Sequence, residues 1–230
     1  MAAIQIYQPM FRHTFVDRLN IAELTLESIV GPYTGFDMEY IVPQICTIGF
    51  HFDNEVVIID LIAIGLFPLQ LQCILRDPLI LKVGVSLHND ANLLALVGID
   101  LMSAVEIGYM PLLAAPQQYP LKAYTELSLV ELTSSFNKEL QTSDWRGTIT
   151  PEMIKYVAID VELVARLYPM LLGALQAAEA ADGVLQHEFY YKYNFIDGHK
   201  IDIHPRAADG QSMKWKPCPW WREGLFWRKF

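Results

Sequence analysis

Five residues of this chain have types and spacings that suit metal-dependent chemistry. Like charges a few ångströms apart raise each other's pKa, so carboxylates that converge need cations to hold them together. The chain is therefore predicted to be a metal-dependent enzyme. Its candidate residues lie in three short segments and comprise Asp37, Glu39, Asp90, Tyr156 and Asp160.

The first pair occupies an apolar segment with the pattern of a strand. A strand's period of two points Asp37 and Glu39 to one face and Phe36 and Met38 to the other. Two carboxylates on one strand make half a site for Mg²⁺ or Mn²⁺, which prefer oxygen ligands. The alternative is an edge strand with a solvated acidic face.

The other candidates have equally simple alternatives. Asp90 follows an apolar strand at the start of a predicted helix, where a carboxylate could cap free amide groups. Tyr156 and Asp160 are four apart on a helix and share one face, so the phenol can reach a reactant bound by the carboxylate. A tyrosine in the core beside a surface aspartate would have the same spacing. The combination of the three segments favours a site.

Composition indicates a globular protein that does not coat nucleic acid. The chain has 230 residues, of which 53% are hydrophobic and 19% charged, enough for one sizeable core. Its net charge is −9, whereas proteins with a long nucleic-acid footprint are usually basic. Any grip on phosphate is therefore expected to be local.

Three features bear on the compartment. The most apolar stretch, 56–71, is interrupted and too short for a membrane span, so no membrane association is predicted. The first residues lack the pattern of a secretory signal. The three cysteines are far apart and odd in number, which fits no disulfide framework. An intracellular protein, nuclear or cytoplasmic, is expected.

Strands alternate with helices after an opening meander, which predicts a mixed sheet covered by helices. Thr150, Pro151 and Glu152 give the last helix a cap, a proline at its first position and an early acid. The predicted strands are 34–40, 44–50, 55–61 and 79–85. The predicted helices are 66–75, 91–97, 122–136 and 151–180.

Taken together, the motifs resemble the DEDDy 3'-5' exonuclease family, which includes RNase D and the Werner-type exonuclease. The first motif, Asp-x-Glu, is matched in segment 35–40, and the strand that follows it in the family is similar to 44–47. The second motif, Lys-Val-Gly with a later aspartate, is similar to 82–90. The third, Tyr-x-x-x-Asp, is matched in 156–160 after a typical Ser-Asp-Trp at 143–145.

This resemblance implies an α/β fold of the ribonuclease H-like type with two divalent ions, Mg²⁺ or Mn²⁺. Asp37 would bridge both ions, Glu39 and Asp160 would complete the first site, and Asp90 would support the second. Tyr156 would orient the water that attacks the terminal phosphodiester.

Some features depart from the family or bear on the substrate. Val157 and Val161 stand where the family usually has alanine, and the loop 41–43 is short. Tyr40, with Phe36 and Met38, is a candidate for stacking on a base, although a core position is favoured for the latter two. Basic residues that could line a strand channel are few: Lys82, Lys122, Lys138, Arg146 and Lys155.

The predicted function is a two-metal 3'-5' exonuclease that hydrolyses terminal phosphodiester bonds of short or single-stranded DNA or RNA. The alternatives are a non-hydrolytic adaptor with the same fold, and a fold diverted to a small phosphate or diphosphate substrate. The exonuclease-like domain is expected to span 1–181. The aromatic-rich extension 182–230 is expected to pack on the domain or on a protein partner.

Overall fold

A mixed sheet forms the centre of the fold. The computed structural model describes residues 11–27, 29, 31–107, 138–182 and 195–196, and within these ranges the sheet has seven strands in the order β1-β4-β3-β2-β5-β6-β7. The strands are β1 (Arg12–Val16), β2 (Tyr33–Ile41), β3 (Gln44–Phe52), β4 (Glu55–Asp60), β5 (Leu81–Gly84), β6 (Ala104–Glu106) and β7 (Phe195–Ile196).

Six helices accompany the sheet in the described ranges. They are α1 (Leu19–Glu27), α2 (Leu61–Ile64), α3 (Leu69–Arg76), α4 (Leu87–Leu96), α5 (Lys138–Gln141) and α6 (Pro151–Asp182). None of these helices combines the length and apolar character needed to cross a bilayer.

The central strands pair in two different ways. Strands β2, β3 and β4 form an antiparallel meander, whereas β2 pairs in parallel with β5, and β5 in parallel with β6. Strand β1 runs parallel to β4 at the opposite edge. The predicted mixed sheet and opening meander are thus present, and the strand ends of the meander agree closely with the prediction.

Helices cover both faces of the sheet. Helix α6 lies against β2, β3, β4 and β5, and it shares a core with the apolar side chains on its face, such as Cys46 and Ile58. The opposite face buries Phe36 and Met38 against residues of α1, α3 and α4. Alternation along β2 therefore sends Asp37 and Glu39 toward the side where α6 packs.

Local sequence explains where α6 begins. Thr150 Oγ1 accepts a hydrogen bond from the Met153 amide at 3.2 Å, and Pro151 occupies the first helical position. The predicted helix 151–180 is present with this cap.

Other elements differ from the sequence-based expectation. Helix α4 begins at Leu87 rather than at residue 91, and α3 begins at Leu69 rather than at 66. Strands β1 and β6 and helix α1 were not predicted. The predicted helix 122–136 lies outside the described residues. Strand β7 lies in the predicted C-terminal extension and pairs with β6; the tryptophan-rich remainder of that extension also lies outside the described residues.

Candidate active site

Two of the candidate carboxylates, Asp37 and Glu39, lie on strand β2. Asp37 lies opposite Gly49 of β3, and Glu39 lies opposite Thr47. Glu39 is buried and Asp37 is half-buried. Because Gly49 has no side chain, the sheet surface beside Asp37 is open to a close approach by a helix.

Helix α6 makes that close approach. A Cβ atom placed on Gly49 would lie 2.7 Å from both Val157 Cγ1 and Val161 Cγ2, and one placed on Gly35 would lie 2.4 Å from the Val161 carbonyl oxygen. Distances under 3 Å are not tolerated between such atoms, so the helix can sit this close only above glycine. The two glycines thus let α6 bring Asp160 down to β2.

The result is a compact group of three carboxylates. Oxygens of Asp37, Glu39 and Asp160 all lie within 4.8 Å of one another. Carboxylate oxygens at this spacing suit a hard divalent cation such as Mg²⁺ or Mn²⁺. No zinc-type set of cysteine and histidine ligands accompanies these residues in the described ranges.

Burial and mutual repulsion disfavour negative charge in this group. Burial raises the pKa of Asp37 to about 7, against a smaller opposite effect of the Met38 backbone amide. Burial, followed by repulsion from Asp37, Asp160 and Asp90, raises the pKa of Glu39 to about 10. Burial and the charge of Asp37 hold the pKa of Asp160 well above its ordinary value. No lysine or arginine of the described ranges contributes to these shifts.

That absence provides a test of whether the residues fit a bound cation. An ion pair within the protein would lower the pKa of these carboxylic acids, whereas here burial and neighbouring negative charge outweigh the hydrogen bonds from the Met38 amide and from Tyr156. A divalent cation would supply the missing positive charge and use the oxygens at the separation found. The donor set therefore fits a divalent metal.

Asp90 reaches the same region from helix α4. It is buried, with 5% of its surface exposed, and lies in the first turn of the helix. Burial raises its pKa well above the ordinary value, and the charges of Asp37 and Glu106 add to the shift. The alternative that Asp90 caps the helix is wrong, because α4 already begins at Leu87 and the cap position is Ser86.

Tyr156 lies one helical turn before Asp160 and donates a hydrogen bond to its carboxylate. Burial, followed by the charges of Asp160, Glu39 and Asp37, raises the pKa of the phenol, so Tyr156 stays protonated at neutral pH. Its ring lies 6.1 Å from that of Trp145, centroid to centroid. Trp145 is fully buried and donates from Nε1 to the Leu140 carbonyl at 3.2 Å.

Two buried polar residues near the site were missed from the sequence. Thr47 lies opposite Glu39, and its buried hydroxyl has no hydrogen-bond partner within the described ranges. Glu106 is 4% exposed at the end of β6, and its charge raises the pKa of Asp90. Strand β6 is too short to show a period, so no local pattern singles out Glu106.

Several predicted contributors have structural roles instead. Lys82, a candidate for the strand channel, is fully buried, and its ammonium donates to the carbonyls of Ile74 and Asp77 at 3.0 and 2.8 Å. Its position at the C-terminal end of α3, where cations are favoured, removes it from any channel. Phe36 and Met38 belong to the core, as favoured from the sequence.

The structure describes Tyr40 and two of the remaining basic candidates, but not the side chains of the other two. Tyr40 is half-buried, and its pKa is raised by burial and by the nearby charge of Asp90. Arg146 binds Asp144 through two hydrogen bonds of 2.8 Å. Lys155 is half-buried. The position of Lys122 and the side chain of Lys138 are outside the described part of the chain.

Comparison with known protein families also indicates an exonuclease. The model of a 3'-5' exonuclease family matches residues 21–176. No curated protein matches the sequence closely enough to count as a relative.

Solved structures share the fold. Escherichia coli RNase D, an exoribonuclease involved in structured RNA processing, superposes with a TM-score of 0.62 at 20% identity, over 77% of this chain and 50% of that one. Brucella melitensis NrnC bound to pGG gives 0.56 at 21%, over 77% and 91%. The same protein with bound Mg²⁺ gives 0.55 at 20%, over 77% and 90%. This chain thus spans half the length of the RNase D chain.

These superpositions show a shared fold, and the predicted ribonuclease H-like α/β class is confirmed. The match of the family model extends over more than half of the sequence and includes every candidate site residue. By this match, the chain belongs to the 3'-5' exonuclease family.

Proposed function

We propose that this protein is a divalent-cation-dependent 3'-5' exonuclease that acts on short or single-stranded DNA or RNA. The observation that carries the proposal is the group of three carboxylates from β2 and α6, whose oxygens lie within 4.8 Å of one another. Asp90 and Tyr156 interact electrostatically with the same group. In this proposal the metal ligands are Asp37, Glu39, Asp90 and Asp160.

Cation binding and cleavage would use the same side chains. A pair of Mg²⁺ or Mn²⁺ ions bound here would activate a water molecule and stabilise the attacking and leaving oxygens of an in-line displacement. Asp37, Glu39 and Asp160 would hold the first ion, and by the family resemblance Asp37 would also contribute to the second site. Asp90, buried in the first turn of α4, would serve the second ion.

Tyr156 would position the attacking water without removing its proton. Its raised pKa leaves the phenol protonated, so it is a poor general base at neutral pH. The hydrogen bond to Asp160 and the neighbouring ring of Trp145 both contribute to the position of the phenol. A phenol fixed in this way can orient a reactant at the carboxylates.

The charge of the protein favours a short substrate. A net charge of −9 opposes the approach of a long polyanion, because affinity for nucleic acid depends on the number of phosphates that cations neutralise. Lys82 is committed to the end of α3, and Arg146 is paired with Asp144. A dinucleotide or a short oligonucleotide needs fewer phosphate contacts than a long strand.

An assay with labelled substrates tests the proposal. The protein is incubated with 5'-labelled DNA and RNA of increasing length, from dinucleotides upward, with Mn²⁺ or with EDTA. Shortening from the 3' end that requires Mn²⁺ and is blocked by a 3'-terminal phosphorothioate is expected. Asp37→Asn should reduce cleavage to background, whereas Asp53→Asn, a change in the exposed turn between β3 and β4, should leave it intact.

The same assay can reject the proposal in two ways. Cleavage that persists in Asp37→Asn after rigorous purification would mean that another enzyme or another site is responsible. Binding of Mn²⁺ without cleavage of any oligonucleotide would favour an adaptor. Release of phosphate from nucleoside diphosphates alone would favour a diverted fold, which the negative net charge also permits.

A further inference from the structure

Glu106 is a buried carboxylate with a defined contact at the start of α4. It is 4% exposed at the end of β6, where it lies beside Gly84 in the parallel pair β5–β6. Its Oε2 accepts a hydrogen bond of 3.0 Å from the backbone amide of Leu87, the first residue of α4. A residue of a neighbouring strand thus binds one of the amides that a helix leaves unpaired at its N-terminus.

The residue that would ordinarily satisfy this helix end does not do so. Ser86 is in the cap position, but its φ of 62° is left-handed and its side chain forms no capping hydrogen bond. The usual cap has an extended backbone and accepts from the second or third helical amide. Glu106 therefore replaces a local cap with a tertiary one.

This contact bears directly on Asp90. Asp90 lies three residues after Leu87, within the same turn, and is itself buried. Glu106 also acts on Asp90 electrostatically, together with Asp37. Two buried carboxylates near each other are costly, and a local cap with an extended backbone would satisfy the helix end without that cost. The arrangement links the helix end to the site.

We propose that Glu106 is a positioning residue that holds the first turn of α4 through Leu87 and thereby places Asp90 for divalent-cation binding. This inference rests on the proposed function. It adds to the motif residues one that contacts neither the substrate nor the ion.

Two substitutions separate the reach of Glu106 from its charge. Glu106→Gln retains an oxygen at the same distance from Leu87 but loses the charge. Glu106→Asp retains the charge but withdraws the oxygen by one methylene. Asp60→Ala is the matched control, because Asp60 Oδ1 caps α2 by accepting from the amides of Ile62 and Ala63, both at 3.0 Å, and contributes nothing to the pKa shifts of the carboxylate group.

Mn²⁺ binding by calorimetry and the Mn²⁺ dependence of cleavage are measured for each variant, with thermal unfolding to verify the fold. Glu106→Asp is expected to weaken Mn²⁺ binding by about 10- to 100-fold, the usual effect of losing a group that orients a ligand, and to weaken cleavage with it. The lost activity should return in part at high Mn²⁺. Glu106→Gln should remain close to the wild type, and Asp60→Ala should lose stability with an unchanged Mn²⁺ requirement.

The opposite pattern would overturn the inference. A strong effect of Glu106→Gln with a mild effect of Glu106→Asp would assign the role to charge instead of position. Unchanged Mn²⁺ binding in both variants would mean that Glu106 has only a structural role and does not position Asp90. If the wild type binds Mn²⁺ but cleaves no oligonucleotide, the proposed function fails and the calorimetric comparison still decides the role of Glu106. A wild type that binds no Mn²⁺ would overturn both.

Discussion

Helices α6 and α4 both bring an aspartate toward β2, yet they are held against the sheet by different forces. Helix α6 is seated by direct packing, with Val157 and Val161 above glycines of β2 and β3. Helix α4 is seated at its first turn by a buried hydrogen bond from Leu87 to Glu106. Packing of this kind is disturbed when volume is added, whereas a buried hydrogen bond is lost when its acceptor is removed or withdrawn.

The largest effect is expected where volume is added beneath α6. Gly49→Ala places a methyl group 2.7 Å from two valine methyls, and branched side chains cannot easily move away. We expect a loss of stability of about 1 to 3 kcal/mol, typical of overpacking, and a fall in cleavage as Asp160 is displaced. Denaturant unfolding and the oligonucleotide assay measure the two effects.

A compensating change makes this prediction specific. The triple variant with Gly49→Ala, Val157→Ala and Val161→Ala removes the methyls that the new one would meet. Cleavage should recover relative to Gly49→Ala alone, even though smaller side chains leave the core less well filled. Failure to recover would show that Gly49 serves something other than the seating of α6.

A smaller effect is expected from the hydrogen bond within α6. Tyr156→Phe keeps the ring beside Trp145 but removes the donor to Asp160. Because the substitution adds no volume, the helix should stay seated and Mn²⁺ binding should be retained. We expect kcat to fall by about 10²-fold or more, at the low end for a positioned catalytic group. Equal single-turnover rate constants for the wild type and Tyr156→Phe would exclude a role of the hydroxyl in the chemical step.

Removing the charge of Asp160 on α6 and removing the charge of Glu106 at the start of α4 should change stability in opposite directions. The raised pKa values of the site carboxylates mean that the metal-free folded protein binds more protons than the unfolded chain. Its stability therefore falls as pH rises above about 4, through the raised values of about 7 at Asp37 and about 10 at Glu39. Asp160→Asn removes one repelled charge and leaves the packing intact. Without metal at pH 8, it should therefore unfold at a higher temperature than the wild type and show a weaker pH dependence.

The comparison on the α4 side is Glu106→Ala, which leaves the buried amide of Leu87 without its acceptor. That variant should unfold at a lower temperature under the same metal-free conditions, since an unsatisfied buried group costs about 1 to 3 kcal/mol. Thermal unfolding in EDTA between pH 5 and pH 8 tests both. A rise in stability for both variants would mean that charge dominates at α4 as well.

The smallest effect is expected at Ser86. Its left-handed backbone favours glycine, and its side chain forms no capping hydrogen bond. Ser86→Gly should therefore keep full cleavage and change stability by less than about 1 kcal/mol. A large loss of Mn²⁺ binding would show that the serine, and not Glu106, anchors the first turn of α4.

The sequence was most informative where the signal is local. The spacing of two in β2 and of four in α6 identified the faces on which the site residues lie, and Thr150 with Pro151 identified where α6 begins. The same logic failed for α4, whose predicted start was four residues late. The start of α4 is capped by Glu106 of β6, so no residue near position 86 indicates where the helix begins.

Edge elements were missed for a related reason. Strand β1 is defined by its parallel pairing with β4, more than 40 residues away, and β6 spans only three residues. Neither is long or regular enough for periodicity to indicate it. Lys82 was only a candidate for the substrate channel, on the basis of its charge, and the structure shows it buried against the carbonyls at the end of α3.

The sequence by itself determined which residue types are present and which neighbours share a face, because φ/ψ periodicity fixes side-chain direction within one element. Only the tertiary structure decided that Asp37, Glu39 and Asp160 meet within 4.8 Å, that glycines allow α6 to approach, and that Glu106 holds α4. These distances depend on how elements far apart in the chain pack together, and spacing within any one element carries no information about them.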